Sequence, residues 1–272
     1  MSGTLKRVLG HLGSLPSESR PCLLLGERGS GKTTLLLTAA LRASADDGRG
    51  AVFIARNPLQ SLPAGARDPL SLKKIQFVYP RSLEELQTFI ASMHEKKSSP
   101  SLILLDGIDD YLDGNSGQQL VARLSALLVD TAAYFTEKLR LTSRRPDDAL
   151  CCCHLIVSIR LPRESGEETE GAQERLVIDR YFPEKCWLQR DAEWPGAGAQ
   201  VDGAEQYYMA RFSDRQVPNL DICSSNNDDV WRLGIVSDGT LKAYPARSKG
   251  QGHEETPNAL DAALPLKVKK QL

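Results

Sequence analysis

Gly26-Glu27-Arg28-Gly29-Ser30-Gly31-Lys32-Thr33-Thr34 is entered from the apolar run Cys22-Leu23-Leu24-Leu25 and runs out into Leu35-Leu36-Leu37-Thr38-Ala39-Ala40-Leu41. Strand, glycine-rich loop and helix in that order are the context a phosphate-binding loop requires, and this separates the motif from a chance match in an ordinary turn. Glycines let the backbone bring its N–H groups up to phosphate oxygens. The helix beginning near Lys32 aims the positive end of its dipole at the same place. The spacing assigns Lys32 to the β- and γ-phosphates and the Thr33 hydroxyl to Mg²⁺, with Gly26, Glu27, Arg28, Gly29, Ser30, Gly31 and Thr34 completing the nucleotide loop.

A second element stands about seventy residues further on. Ser101-Leu102-Ile103-Leu104-Leu105-Asp106 is a short apolar run closed by an acid, the form of a strand whose terminal carboxylate holds the Mg²⁺ shell opposite the loop threonine. Alone it is weak evidence, since such a run is more often a buried strand entering a turn. Paired with the loop it predicts an ATP and Mg²⁺ site in which Lys32 and Asp106 are the candidate catalytic residues, and Thr33 and Asp106 the candidate metal-shell residues. A GTPase or small-molecule kinase is disfavoured, because the chain has no Asn-Lys-x-Asp signature and no arginine-rich lid between its strands.

The 272 residues are enough to bury a large core, and 34 basic against 35 acidic residues leave no global field to draw the protein to nucleic acid. Any such contact has to be local. Nothing approaches 18 consecutive apolar residues, and residues 1–19 lack the apolar stretch of a signal peptide, so an intracellular protein without membrane contact is expected. Six cysteines, three of them consecutive at Cys151, Cys152 and Cys153 before His154, suggest zinc. Neighbouring residues of a strand face opposite sides, however, and no second Cys-x-x-Cys pair exists, which favours buried thiols at a strand entrance.

Ala51-Val52-Phe53-Ile54-Ala55 and Lys74-Ile75-Gln76-Phe77-Val78-Tyr79 read as further strands. Ser82 with Glu85 three residues later reads as a capping box opening a helix whose apolar face is Leu83, Leu86, Phe89, Ile90 and Met93. A long helix is predicted over 118–139, and Cys153-His154-Leu155-Ile156-Val157-Ser158-Ile159 is a strand of the fully buried type. This alternation predicts an α/β fold: a mostly parallel sheet with helices on both faces. From Cys186 the texture is all-β, in runs at 186–189, 206–212, 231–236 and 241–244, the last two joined by a hairpin turn at 237–240. These strands are expected to extend the sheet at one edge. The resulting division is a short N-terminal extension (1–20), one core (21–245) and a disordered tail (246–272), in which Lys267, Lys269 and Lys270 form a basic patch or a solvated end.

The element order, a phosphate loop near the N-terminus, a five-strand parallel core and terminal antiparallel hairpins, resembles the RecA-like recombinases and their paralogues. Longer strings narrow the resemblance: Arg56-Asn57-Pro58-Leu59-Gln60-Ser61-Leu62-Pro63, Lys74-Ile75-Gln76-Phe77-Val78-Tyr79-Pro80, Leu104-Leu105-Asp106-Gly107-Ile108-Asp109-Asp110-Tyr111-Leu112, Leu127-Leu128-Val129-Asp130-Thr131-Ala132-Ala133 and Arg180-Tyr181-Phe182-Pro183-Glu184-Lys185-Cys186-Trp187-Leu188-Gln189. Over roughly residues 20–245 the chain is similar to the RecA-like P-loop ATPases that partner SWIM-type zinc-finger proteins in the vertebrate Shu complex. That resemblance implies a nuclear factor in homologous recombination DNA repair: a DNA-binding ATPase stimulated by single-stranded DNA. It would act with a SWIM-type zinc-finger protein and with a RecA-like recombinase and its paralogues. The alternative is a non-catalytic scaffold that holds partner and recombinase together, with nucleotide only stabilising the fold.

The chain departs from a working recombinase at several points. Gly107 follows Asp106 and Arg56-Asn57 end the second strand, where enzymes of this class carry a glutamate that orients the attacking water. Slow turnover is therefore expected unless a partner completes the site. Asp109 and Asp110 are available carboxylates for orienting the water, but one turn past the strand they read better as loop or helix-start acids, and Arg160, at the end of the fifth strand, reads either as a cation reaching the nucleotide or as a solvent-facing end. The segments matching the two DNA loops, 108–118 and 161–174, are acidic. Lys138, Arg140, Arg144 and Arg145 are the alternative DNA candidates, unless they only complement a helix end. Trp187, Tyr207, Tyr208 and Trp231 could stack on bases but fit strand packing better.

Overall fold

Both faces of the first strand are buried. All five residues of β1 (Cys22–Gly26) are excluded from solvent, as are those of β2 (Ala51–Ala55) and all but the last of β4 (Leu102–Asp106). Strands of this kind need a helical layer on each side. The computed structural model describes residues 20–46, 50–60, 62, 69–96, 98–112, 117–142, 152–161, 172–191, 206–213, 230–235 and 241–245. Among them, after β1, come α1 (Lys32–Asp46), β2, α2 (Pro69–Lys73), β3 (Ile75–Val78), α3 (Leu83–Ser92), β4, α4 (Gln118–Thr142), β5 (His154–Arg160), α5 (Ala172–Tyr181), β6 (Glu184–Arg190), β7 (Gln206–Ser213), β8 (Val230–Ile235) and β9 (Leu241–Pro245).

The strands form one sheet in the order β3-β2-β4-β5-β1-β6-β7-β8-β9. Alternation along each strand sends successive residues to opposite faces. Cys22 and Leu24 of β1, Phe53, Leu104 and Ile156 meet Leu35, Leu36, Ala39 and Ala40 of α1 on one side. Leu23 and Leu25, Val52, Leu105 and Val157 meet Leu86 and Ile90 of α3, Leu124, Leu128 and Phe135 of α4 and Ile178 of α5 on the other. The result is the expected RecA-like α/β architecture, a mostly parallel sheet covered on both faces and extended by antiparallel strands at one edge.

Three local readings change. The run at 186–189 belongs to β6, which pairs parallel with β1, so the parallel part is six strands wide and the antiparallel extension begins at β7. The crossover that allows this is α5, whose polar sequence Ala172-Gln173-Glu174-Arg175 obscured it. The capping box also differs. The Glu85 N–H donates to Ser82 Oγ at 3.1 Å, but the Glu85 carboxylate accepts from the Arg81 N–H at 2.7 Å rather than from that of Ser82. The short helix α2 carries no periodic signal in its five residues. The 237–240 turn and the 246–272 tail lie outside the described residues, although β8 and β9 pair antiparallel as a hairpin requires.

Candidate functional site

The parallel strands all end at one edge of the sheet, the place where open α/β sheets bind ligands. Register pairs the ends there two by two: Ala55 of β2 stands beside Asp106 of β4, and two residues further along Gly26 of β1 stands beside Arg160 of β5. Arg56 is the next residue beyond β2. The phosphate loop leaves β1 at this edge and its backbone turns twice through positive φ, at Gly29 (82°) and Gly31 (85°). At Gly31 the need for glycine is double. A β-carbon there would lie 2.6 Å from the ring of Tyr208, the buried aromatic of β7 that seals the loop from the antiparallel side.

Lys32 opens α1 and its ammonium folds back over the loop. It donates to the carbonyls of Gly26 at 2.6 Å and Glu27 at 2.7 Å, and reaches Ser30 Oγ at 3.5 Å. The Gly26 carbonyl also accepts from the Leu161 N–H at 3.0 Å, tying the loop to the end of β5. Burial pulls the Lys32 amine below its ordinary value of 10.5, against the carboxylates of Asp109, Asp106 and Asp110, which favour the charged form. A partly desolvated cation ringed by backbone carbonyls is poised to exchange those weak partners for phosphate oxygens.

Thr33 Oγ1 donates to Asp106 Oδ2 at 2.6 Å, which brings together the two residues that the sequence assigns to one metal shell. Hydroxyl and carboxylate oxygens are the hard donors that Mg²⁺ takes, so the side chains present fit the ion. Asp106 is fixed from behind by Ser158, a fully buried residue of β5. Its hydroxyl donates to Asp106 Oδ1 at 2.6 Å and accepts from the Gly107 N–H at 2.8 Å.

Beyond Asp106 the chain reverses through Gly107, at φ 75°, into a single 3₁₀ turn, Ile108–Tyr111. Ile108 and Tyr111 point into the core, and the Tyr111 hydroxyl donates to the Pro80 carbonyl at 3.1 Å. The two acids between them face the strand ends. Asp109 Oδ1 accepts from the Arg160 N–H at 3.0 Å, while Asp110 Oδ1 pairs with Arg160 Nη2 at 3.0 Å. Arg56 donates to the Asp110 carbonyl from the β2 side. Burial first, then the neighbouring Asp110, pushes the Asp109 carboxyl above its ordinary value, and the Arg160 N–H bond opposes this. Arg160 is thus neither free in solvent nor directed along the loop; it is half-exposed and held by the two aspartates.

The DNA candidates do not gather into a grip among the described residues. Lys138 is turned inward, its ammonium donating to the Lys96 carbonyl at 3.3 Å and lying over the rings of Tyr134 and Phe135. Arg140 is exposed on the last turn of α4, and Arg144 and Arg145 lie outside the described residues. Of the aromatics, Tyr208 is buried against the loop, and Trp187 and Trp231 pack on the two cores. Cys152 and Cys153 are buried and form no disulfide, with the Cys152 thiol 3.4 Å from His154 Nε2. Among the described residues no group of three or more His, Cys, Asp or Glu could hold a metal ion, and no helix is long and apolar enough to cross a membrane.

Sequence reasoning placed Tyr208 in strand packing, where it is, but missed its contact with the loop at Gly31, the role of Ser158 and the turn at Gly107. A serine inside an otherwise apolar buried strand was the available signal for Ser158, since a buried hydroxyl requires a partner.

No family model matches the chain. Two curated relatives are similar over most of it: ATPase SWSAP1 of Homo sapiens, 44% identical over 187 residues that cover 67% of this chain and 77% of the human protein, and ATPase SWSAP1 of Mus musculus, 41% identical over 256 residues that cover 90% of this chain and 82% of the mouse protein. With this identity extending over most of both partners in each comparison, the chain belongs to the ATPase SWSAP1 family.

Proposed function

We propose that this RecA-like chain binds and slowly hydrolyses ATP with Mg²⁺, and that it does so in homologous recombination repair. The observation that carries the reading is the 2.6 Å bond between Thr33 and Asp106: residues 73 positions apart meet at the mouth of a glycine loop whose lysine is already poised over it. In this reading Lys32 releases the Gly26 and Glu27 carbonyls and takes β- and γ-phosphate oxygens. The loop N–H groups and the start of α1 cradle the phosphates. When bound, Mg²⁺ would offset phosphate charge between Thr33 and Asp106.

The partners in this reading are those that the resemblance to the ATPases of the Shu complex implies: a SWIM-type zinc-finger protein, a RecA-like recombinase and its paralogues, and single-stranded DNA as the stimulating ligand, in the nucleus. An acidic turn at 108–111 and an inward Lys138 leave this chain without a strong phosphate grip among its described residues, which supports a DNA contact shared with the partner. Lys32→Ala is the test of the ATPase role against the scaffold alternative. Loss of repair function with partner binding intact supports hydrolysis as the task. Unchanged repair would support the scaffold.

A further inference from the structure

The residue after Asp106 is glycine in a left-handed backbone conformation, and the space beside it is taken by another side chain. With φ at 75°, a β-carbon on Gly107 would lie 2.7 Å from Asp110 Oδ2 and 3.2 Å from its carboxyl carbon. The volume a side chain at 107 would use is filled by the Asp110 carboxylate, brought back by the 3₁₀ turn whose Asp110 N–H donates to the Gly107 carbonyl at 3.1 Å. The placement is braced from both neighbouring strands. Arg160, ending β5, holds Oδ1 at 3.0 Å, and Arg56, following β2, holds the Asp110 carbonyl. Since β4 lies between β2 and β5, the carboxylate stands over the end of the strand that carries Asp106. No described residue takes Oδ2, which faces the Gly107 side of the turn.

We infer that Asp110 is the catalytic residue that orients the attacking water, taking the place of the glutamate that neither position 107 nor the end of β2 provides. This rests on the ATPase reading above. In the step, the water oxygen bonds to the γ-phosphorus and the bond from that phosphorus to the β–γ bridging oxygen breaks. The electron pair leaves with ADP, and one water proton passes to Asp110 Oδ2 and on to solvent. Arg160 on Oδ1 leaves a single oxygen for the water.

The test uses the full chain with ATP and Mg²⁺, measuring nucleotide affinity and single-turnover hydrolysis separately. Asp110→Asn keeps the shape and an acceptor for Arg160. It should bind ATP within about threefold of the unaltered chain and hydrolyse it about a hundredfold more slowly, the range expected for a lost proton acceptor. Asp110→Glu, which restores a carboxylate, should recover part of the rate. Because Asp110 could act only by holding Arg160, the same substitution is repeated in an Arg160→Gln background, where it should still slow hydrolysis by a similar factor. Hydrolysis by Asp110→Asn at the unaltered rate, no further loss in the Arg160→Gln background, or ATP binding by the unaltered chain without any turnover would each overturn the assignment while leaving nucleotide binding intact. Absence of ATP binding by the unaltered chain would overturn the function itself, and this inference with it.

Discussion

Ser158 Oγ lies 2.6 Å from Asp106 Oδ1 and donates to it, so the acid at the end of β4 is aimed by a residue of the neighbouring strand that solvent never reaches. The same hydroxyl accepts the Gly107 N–H. One buried side chain therefore sets both the direction of the metal-shell carboxylate and the start of the turn that carries Asp109 and Asp110. Ser158→Ala should cost about 1–3 kcal/mol of stability by stranding the Gly107 N–H. It should also raise the magnesium concentration needed for ATP uptake by about tenfold, as loss of a group that orients a metal ligand does. Urea denaturation and a magnesium titration of nucleotide binding check the two effects.

Gly31→Ala strains a left-handed backbone position by about 1–2 kcal/mol and drives a β-carbon against the Tyr208 ring. ATP affinity should fall at least about tenfold, since 1.4 kcal/mol is a factor of ten. Adding Tyr208→Ala should recover only the steric share. A fluorescent-nucleotide titration that finds Gly31→Ala binding like the unaltered chain would contradict the loop geometry.

Asp109 gives a pH prediction with a definite sign. Its carboxyl is raised in the folded state, so folding favours its protonated form. The burden of the buried charge is absent below the ordinary value of 3.8 and is felt as pH rises through the raised value. Asp109→Asn keeps an acceptor for the Arg160 N–H and removes the charge. The stability of the variant relative to the unaltered chain should therefore increase between pH 4 and pH 7, as read from urea midpoints. A difference that shrinks over that interval would refute the cause assigned to the shift.

Lys138 should behave as a structural cation. Lys138→Ala removes a bond to the Lys96 carbonyl and a cation over two rings, and should cost about 1 kcal/mol of stability. The salt dependence of single-stranded DNA binding should be unchanged, because that slope counts cations on phosphate. A slope reduced by about one would return Lys138 to the DNA surface.

Much of this was legible in the chain because local chemistry and fold agree. The loop needs a strand before it and a helix after it, and Leu23, Leu25, Leu36 and Ala39 supply both. The apolar run to Asp106 has no other comfortable place than a central strand. What could not be read depends on contacts between distant segments. The seat of β6 beside β1 depends on α5, whose polar face hid the crossover. The partners of Arg160 were two acids that in sequence look like any turn. Tyr208 resembles ordinary strand packing until the register of β6 and β7 delivers its ring to Gly31.

The central claim is that one Mg²⁺–ATP sits between the glycine loop and Asp106. Equilibrium dialysis of the full chain with labelled ATP and Mg²⁺ tests it most directly. Uptake should approach one nucleotide per chain, fall steeply in Lys32→Ala, and lose its magnesium dependence in Asp106→Ala. A well-folded chain, alone or assembled with its partner, that takes up no ATP would contradict the account.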